Sequence, residues 1–290
     1  MGGGFVANSA LFSTLPRKGD LIVHDELIHA SAHDGMRLGK AETLAFRHND
    51  INHAGDLIAK WRAKGQKGMV WIAVESIYSM DGDGAPVNDL IALADHYHAM
   101  LVVDEAHATG VFGAGGRGRF HAHAGADNLL SLHTCGKALG VQGALVCGAS
   151  VFIETLINKA RGFIYATAPS PLNAALVRAA LAGLNHATSP HDSRQAMLAD
   201  LIAHAHREAA RFCGLSGLFS QIIPFIVGEA GQTMALAGRL QAQGFDVRGI
   251  RPPTVARGTA RLRIPVTLNV NKDIVSQLFE TLGEARPPAQ

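Results

Sequence analysis

The chain has 290 residues, of which 48% are hydrophobic and 17% charged, with a formal net charge of +2. That balance suits a soluble globular protein with a sizeable core, built as one large domain with an appendage or as two domains. It gives no electrostatic basis for nucleic-acid binding, and no apolar run reaches membrane-spanning length.

The opening MGGGFVANSA lacks the basic and apolar regions of a signal peptide, and Val6 stands where a myristoylation signal needs Ser or Thr. The amides of GGGF (2–5) can bind a phosphate if they precede a helix beginning near Ala7. MVWIAVESI (69–77) is β-rich and mostly apolar, the pattern of a strand covered on both faces. VNDLIALADHYHA (87–99) follows at helical spacing. MLVVDEAH (100–107), LLSLHT (129–134) and GALVCGA (143–149) are further strands. Strands alternating with helices predict a mainly parallel α/β sheet.

From about Val151 the pattern changes. PLNAALVRAALAGLNHA (171–187) and AMLADLIAHAHREAARF (196–212) read as long helices. SQIIPFIVG (220–228) reads as a strand, and AGQTMALAGRLQAQG (230–244) as a helix closed by Gly244. FDVRGI (245–250) and ARLRIPV (260–266) read as strands, DIVSQLFETLGEA (273–285) as a final helix before a Pro-rich tail. This predicts a large domain over residues 1–174 and a smaller α+β domain over 175–290.

Several motifs point nowhere. SIYSMDGDGAP (76–86) has the acidic look of a calcium loop, but Pro86 occupies the position that needs glycine, so it reads as a tight turn. GAGGRG (113–118) matches a dinucleotide fingerprint in letters only, because no amphipathic helix follows it. His121 and His123 lack a nearby carboxylate or cysteine and read as a solvated loop, not a metal site. Cys135, Cys147 and Cys213 have no CxxC spacing and are odd in number, which points to a reduced, cytoplasmic compartment.

Two residues stand where chemistry is expected. Asp104 ends an apolar strand, and in an open α/β sheet ligands gather at the carboxyl ends of strands. On its own it is either a turn cap or a charge facing a ligand. Lys137 interrupts HTCGKALGVQGAL (133–145) among glycines and small apolar residues. A lysine desolvated there has a lowered pKa, and its neutral amine can attack a carbonyl to form a Schiff base. A carboxylate opposite it could hold a pyridinium nitrogen protonated, the division of labour that pyridoxal phosphate requires. Thr134 could bind the phosphate.

LVVDEAHATGVFGAGGRG (101–118), HTCGKALGVQGALVCG (133–148), DELIHAS (25–31), FRHND (46–50), SIYSMDGDGAPV (76–87) and IRPPTVARGTARLRI (250–264) together resemble the α-oxoamine synthases. These are fold-type I enzymes that use pyridoxal 5'-phosphate to condense an amino acid with an acyl thioester. The resemblance implies that Lys137 bonds to the cofactor, Asp104 pairs with its ring nitrogen and His107 with its phenolic oxygen. It implies that His29 stacks on the ring face and that Ser79 is a further polar contact. Thr134, Gly4 and Phe5 would cradle the phosphate, and Thr167 would reach the phosphate of a partner subunit in a homodimer. Arg263 would grip the amino acid's carboxylate, a bidentate task suited to arginine, with Arg251 and Thr254 lining the same site. The wording of two motifs is nearest to the biotin-pathway branch, implying L-alanine and a pimeloyl thioester, from CoA or carrier protein. Serine, glycine and aminolevulinate branches are the in-family alternatives. Family members carry roughly a hundred residues ahead of GGGFVAN, so the chain is expected to lack part of the acyl pocket. Gly3 replaces a usual serine, and PVTLNVNKD (265–273) diverges from the family wording. A non-catalytic cofactor-binding remnant, or a partner for a full-length copy, is therefore the second expectation.

Overall fold

The computed structural model describes residues 1–185 and 193–285. The end of the helix expected over 171–187 and the Pro-rich tail lie outside them.

The strands of the first unit are β1 (Leu21–Asp25), β2 (Glu42–Phe46), β3 (Val70–Glu75), β4 (Met100–Asp104), β5 (Leu129–Thr134) and β6 (Ala144–Cys147). They form one sheet in the order β2-β1-β3-β4-β5-β6, parallel except for β6, which runs antiparallel to β5. β1, β3 and β4 are buried along their whole length, which explains their unbroken apolar runs: helices cover both faces.

The two faces take alternate residues of each strand. Ile22, Trp71, Ala73, Met100, Val102, Leu130 and Leu132 pack on one side. Their cover comes from α1 (Gly4–Thr14), α2 (Ala30–Leu38) and α5 (Ser150–Lys159). Leu21, Val23, Val70, Ile72, Val74, Leu101 and Val103 pack on the other side, under α3 (Ile51–Ala63) and α4 (Val87–His96). Each such side chain contributes about 1.5–3 kcal/mol when fully buried. Short α6 (Arg161–Ile164) and α7 (Pro171–Asn185) complete this unit. The boundary expected after residue 174 falls inside α7.

The second unit comprises Ser79–Asp83 and the chain from α8 (Arg194–Cys213) onward. It adds β7 (Ile222–Gly228), α9 (Ala230–Ala242), β8 (Arg248–Ile250), β9 (Ala260–Pro265) and α10 (Lys272–Glu284). The strands form an antiparallel sheet in the order β7-β9-β8. α9 packs on this sheet and α10 packs on α8. Among the described residues, no helix is long and apolar enough to cross a membrane.

Candidate functional site

The parallel strands deliver their last residues to one edge of the sheet. β4 ends at Asp104 and neighbouring β5 at Thr134, with Asp104 level with Leu132 in the register. β1 ends at Asp25, and His29 caps the N-terminus of the helix that follows. This is the edge at which open α/β sheets bind ligands.

Helix α1 lies against that edge. It begins at Gly4, three residues earlier than the sequence pattern suggests, because Gly3 already provides the extended N-cap. No side chain caps it, so its first amides are left to an external acceptor, a favourable setting for a phosphate. Gly4 packs directly on Thr134: a Cβ there would stand 3.3 Å from both the Cβ and the hydroxyl oxygen of Thr134. A residue with a side chain would fill the space between the helix start and that hydroxyl. Phe5 follows, its ring edge-on to His29 with centroids 6.4 Å apart. Gly4, Phe5, Thr134 and His29 thus cluster around the start of α1.

Asp104 is 8% exposed and held on both oxygens. Oδ1 accepts the Ala106 amide at 2.9 Å, and Oδ2 accepts the Asn8 carboxamide at 2.7 Å. Asn8 also donates to the Ser31 hydroxyl at 3.0 Å, and that oxygen lies 2.7 Å from His29 Nδ1. His29 is exposed at the start of α2, and desolvation by the surrounding protein lowers its pKa. Asp104 raises it and Lys137 lowers it again, so both act on His29 electrostatically. His107 is half-buried in the hydrogen-bonded turn beyond β4.

Lys137 lies in the turn after β5 and is exposed, not enclosed by its small neighbours. The desolvation expected from HTCGKALG is therefore not provided by those neighbours. The backbone there folds as a turn, with the Gly140 amide donating to the Lys137 carbonyl. Thr167 is exposed between α6 and α7 and takes no part in the hydrogen-bonded network above.

The remaining candidates belong to the second unit. Arg263, on β9, is half-buried and donates from Nε to the Ser79 carbonyl at 2.6 Å. Ser79 is thus engaged through its backbone. Arg261, two residues earlier and 6% exposed, pairs with Asp81. Arg251 and Thr254 line an open hollow of about 590 Å³ together with Pro252, Pro253 and Arg257.

Two polar pairs were given no role from the sequence. Asn8 and Ser31, both buried, form the first; an asparagine inside a helical stretch, where it is a poor helix former, is only a weak signal for it. Glu105 and Arg119 form the second. Glu105 is 1% exposed and accepts the amides of Phe120 and Arg119 at 2.8 and 3.1 Å. Arg119 Nη1 donates to the carbonyls of Ser76 and Ala85, both at 2.7 Å. The glycines of GAGGRG serve this arrangement: Gly118 has φ +95°, and a Cβ there would come within 2.5 Å of the Glu105 carboxyl carbon. Residues 114–116 are a single 3-10 turn, which excludes the dinucleotide reading.

Comparison with known proteins agrees with this geometry. The family model for aminotransferase class I and II matches residues 1–282. The 8-amino-7-oxononanoate synthase of Geobacter sulfurreducens is 41% identical over 263 residues, covering 90% of this chain and 66% of that relative. The 8-amino-7-oxononanoate synthase of Chromobacterium violaceum is 40% identical over 292 residues, covering 100% of this chain and 73% of that relative. The chain thus spans about two thirds to three quarters of the length of these relatives. Among solved structures, serine palmitoyltransferase from Sphingomonas wittichii superposes with a TM-score of 0.88 at 29% identity, covering 98% of this chain and 71% of that one. The 8-amino-7-oxononanoate synthase of Francisella tularensis gives a TM-score of 0.82 at 28% identity, covering 98% and 81%. A further serine palmitoyltransferase structure, 26% identical with a TM-score of 0.89, holds pyridoxal phosphate, and the glycine-lined helix start, buried carboxylate and lysine of this chain fit that cofactor. The chain belongs to the class I and II aminotransferase family and, within it, to the α-oxoamine synthases.

Proposed function

We propose that the protein joins L-alanine to a pimeloyl thioester, releasing the thiol of CoA or of a carrier protein and carbon dioxide, and forming 8-amino-7-oxononanoate. The observation that supports this best is the meeting of Asp104, His29 and Lys137 at one strand edge, in a chain about 40% identical to synthases of that name. Bound pyridoxal phosphate supplies an electron sink for the amino-acid carbon that loses its proton. Lys137 would hold the cofactor and then take that proton. Asp104, tethered on both oxygens, would pair with the ring nitrogen and keep it protonated. His107 would hydrogen-bond the phenolic oxygen, and His29 would cover the ring face. Thr134 and the first amides of α1, at Gly4 and Phe5, would hold the phosphate, joined by Thr167 of a partner subunit in a homodimer. Arg263 would bind the carboxylate of alanine, with Arg251 and Thr254 lining the same site. Ser79 would add a further polar contact. A cytoplasmic setting and the large-domain and small-domain division over 1–174 and 175–290 belong to the same reading.

A visible spectrum of the purified chain with pyridoxal phosphate tests this first. A band that needs Lys137, vanishes in Lys137→Ala and shifts with L-alanine supports the reading. Turnover with pimeloyl thioester then decides the product. Similarity to serine palmitoyltransferase structures gives L-serine a claim as the alternative amino acid, and a spectral shift with L-serine but not L-alanine would favour it. Absence of any band would leave a non-catalytic remnant or a partner for a full-length copy.

A further inference from the structure

We propose that Asn8 and Ser31 are positioning residues. One buried carboxamide holds the Asp104 carboxylate and, through the Ser31 hydroxyl, fixes His29 as the tautomer with its proton on Nε2. This inference rests on the reading of Asp104 and His29 as cofactor residues.

The argument follows the protons. Asn8 is 3% exposed and Ser31 fully buried. Asn8 Nδ2 lies 2.7 Å from Asp104 Oδ2 and 3.0 Å from Ser31 Oγ. Turning the amide over would set its oxygen against a carboxylate oxygen, acceptor against acceptor, so only one orientation is tenable. Both amide protons are then committed. The Ser31 oxygen accepts one of them, and its own single proton goes to the remaining neighbour, His29 Nδ1 at 2.7 Å. The Ser31 amide also points at Nδ1, at 3.2 Å. Two donors converge on that nitrogen, which must therefore present a lone pair, and the ring proton resides on Nε2.

The other end is fixed in the same way. With Oδ2 tied to Asn8 and Oδ1 tied to the Ala106 amide at 2.9 Å, the plane of the Asp104 carboxylate cannot rotate. Each oxygen retains a lone pair for a further donor. α1, which carries Asn8, also begins at the proposed phosphate cradle. One helix therefore sets the carboxylate, the imidazole and the helix start together.

The test uses the full chain labelled with 15N-histidine, with the His29 signals assigned by His29→Gln. Long-range proton–nitrogen spectra at neutral pH should show His29 protonated on Nε2 with or without pyridoxal phosphate. Ser31→Ala should shift part of the population to Nδ1, and Ser31→Thr, which restores the hydroxyl, should reverse the shift. Asn8→Ser should weaken pyridoxal-phosphate retention about ten-fold or more, since it removes a hydrogen bond to a buried charge. Circular dichroism establishes that each variant is folded. A wild-type His29 protonated on Nδ1, or a Ser31→Ala chain with an unchanged tautomer, would overturn the proposal. So would an Asn8→Ser chain that keeps its cofactor affinity within about two-fold. If the wild type binds no pyridoxal phosphate, the functional reading fails, and the His29 tautomer alone decides this inference.

Discussion

Asp104 should weigh more on the chemistry than on the fold. In Asp104→Asn the negative charge is gone, and one of its two tethering donors, Asn8 or the Ala106 amide, faces an amide nitrogen instead of an oxygen. We expect turnover to drop on the order of 100-fold, as when a preorganised electrostatic group is removed, while the lost hydrogen bond costs about 1 kcal/mol of stability. Kinetics and thermal unfolding of the same variant measure both; near-normal turnover would remove Asp104 from the ring-nitrogen role. Its neighbour Glu105 should behave oppositely. Gly118→Ala would force a methyl group onto the Glu105 carboxylate at a backbone φ of +95°, and should cost about 1–3 kcal/mol of stability in a denaturant titration. At the residue scale Lys137 and Asp104 were legible because a charge stands out in an apolar run. Asn8 and Ser31 were not, since an amide and a hydroxyl in FVANSA and IHASA look like ordinary polar positions until the partner across the fold is known.

Elements were legible in proportion to how fully their surroundings repeat along the chain. β3, β4, β5, α9 and α10 lie within a few residues of their expected bounds, because buried strands and amphipathic helices write their burial directly into sequence. β1 and β2 went unread. LIVHD is only five residues and ends in two ionisable ones, and ETLAF lies at the sheet edge with mostly exposed positions. Caps complete the helices. Asn271 accepts the Ile274 amide at 3.0 Å at the start of α10, and Asn271→Ala should cost about 1 kcal/mol by chemical denaturation. α1 departs from that rule: its cap is a glycine with no side-chain bond, as a helix start reserved for a ligand would have.

At the scale of the whole molecule, buried histidines set the acid response. Burial lowers the pKa of His24, where the Asp25 backbone carbonyl and charge only partly oppose it. Burial lowers His133 as well, against Glu105 and Asp104. Their folded values lie below the ordinary imidazole value, so the unfolded chain binds more protons as pH falls. Stability is then fully present above about pH 6.5 and is lost as pH falls toward the folded values. Asp25 extends the same trend at lower pH. Burial pushes its carboxyl up, but His48 and the amides of Asn49 and Leu27 outweigh that and hold it below its usual range. Melting temperature should therefore decline through weakly acidic pH, and His24→Gln should flatten the upper part of that decline.

By itself the sequence determined the alternation of strands and helices, the mixed strand-and-helix make-up of the second segment and the residues whose chemistry matches a pyridoxal-phosphate family. These follow from local periodicity and from charges in apolar surroundings, which need no partner to be recognised. The tertiary structure alone decided that α1 starts at Gly4 against Thr134, that Lys137 is exposed, and that Asn8 joins Asp104 to His29 through Ser31. Each depends on residues far apart in the chain, Asn8 and Asp104 by 96 positions. A hydrogen bond is directional and short, so no pattern along one strand or helix can announce its distant half.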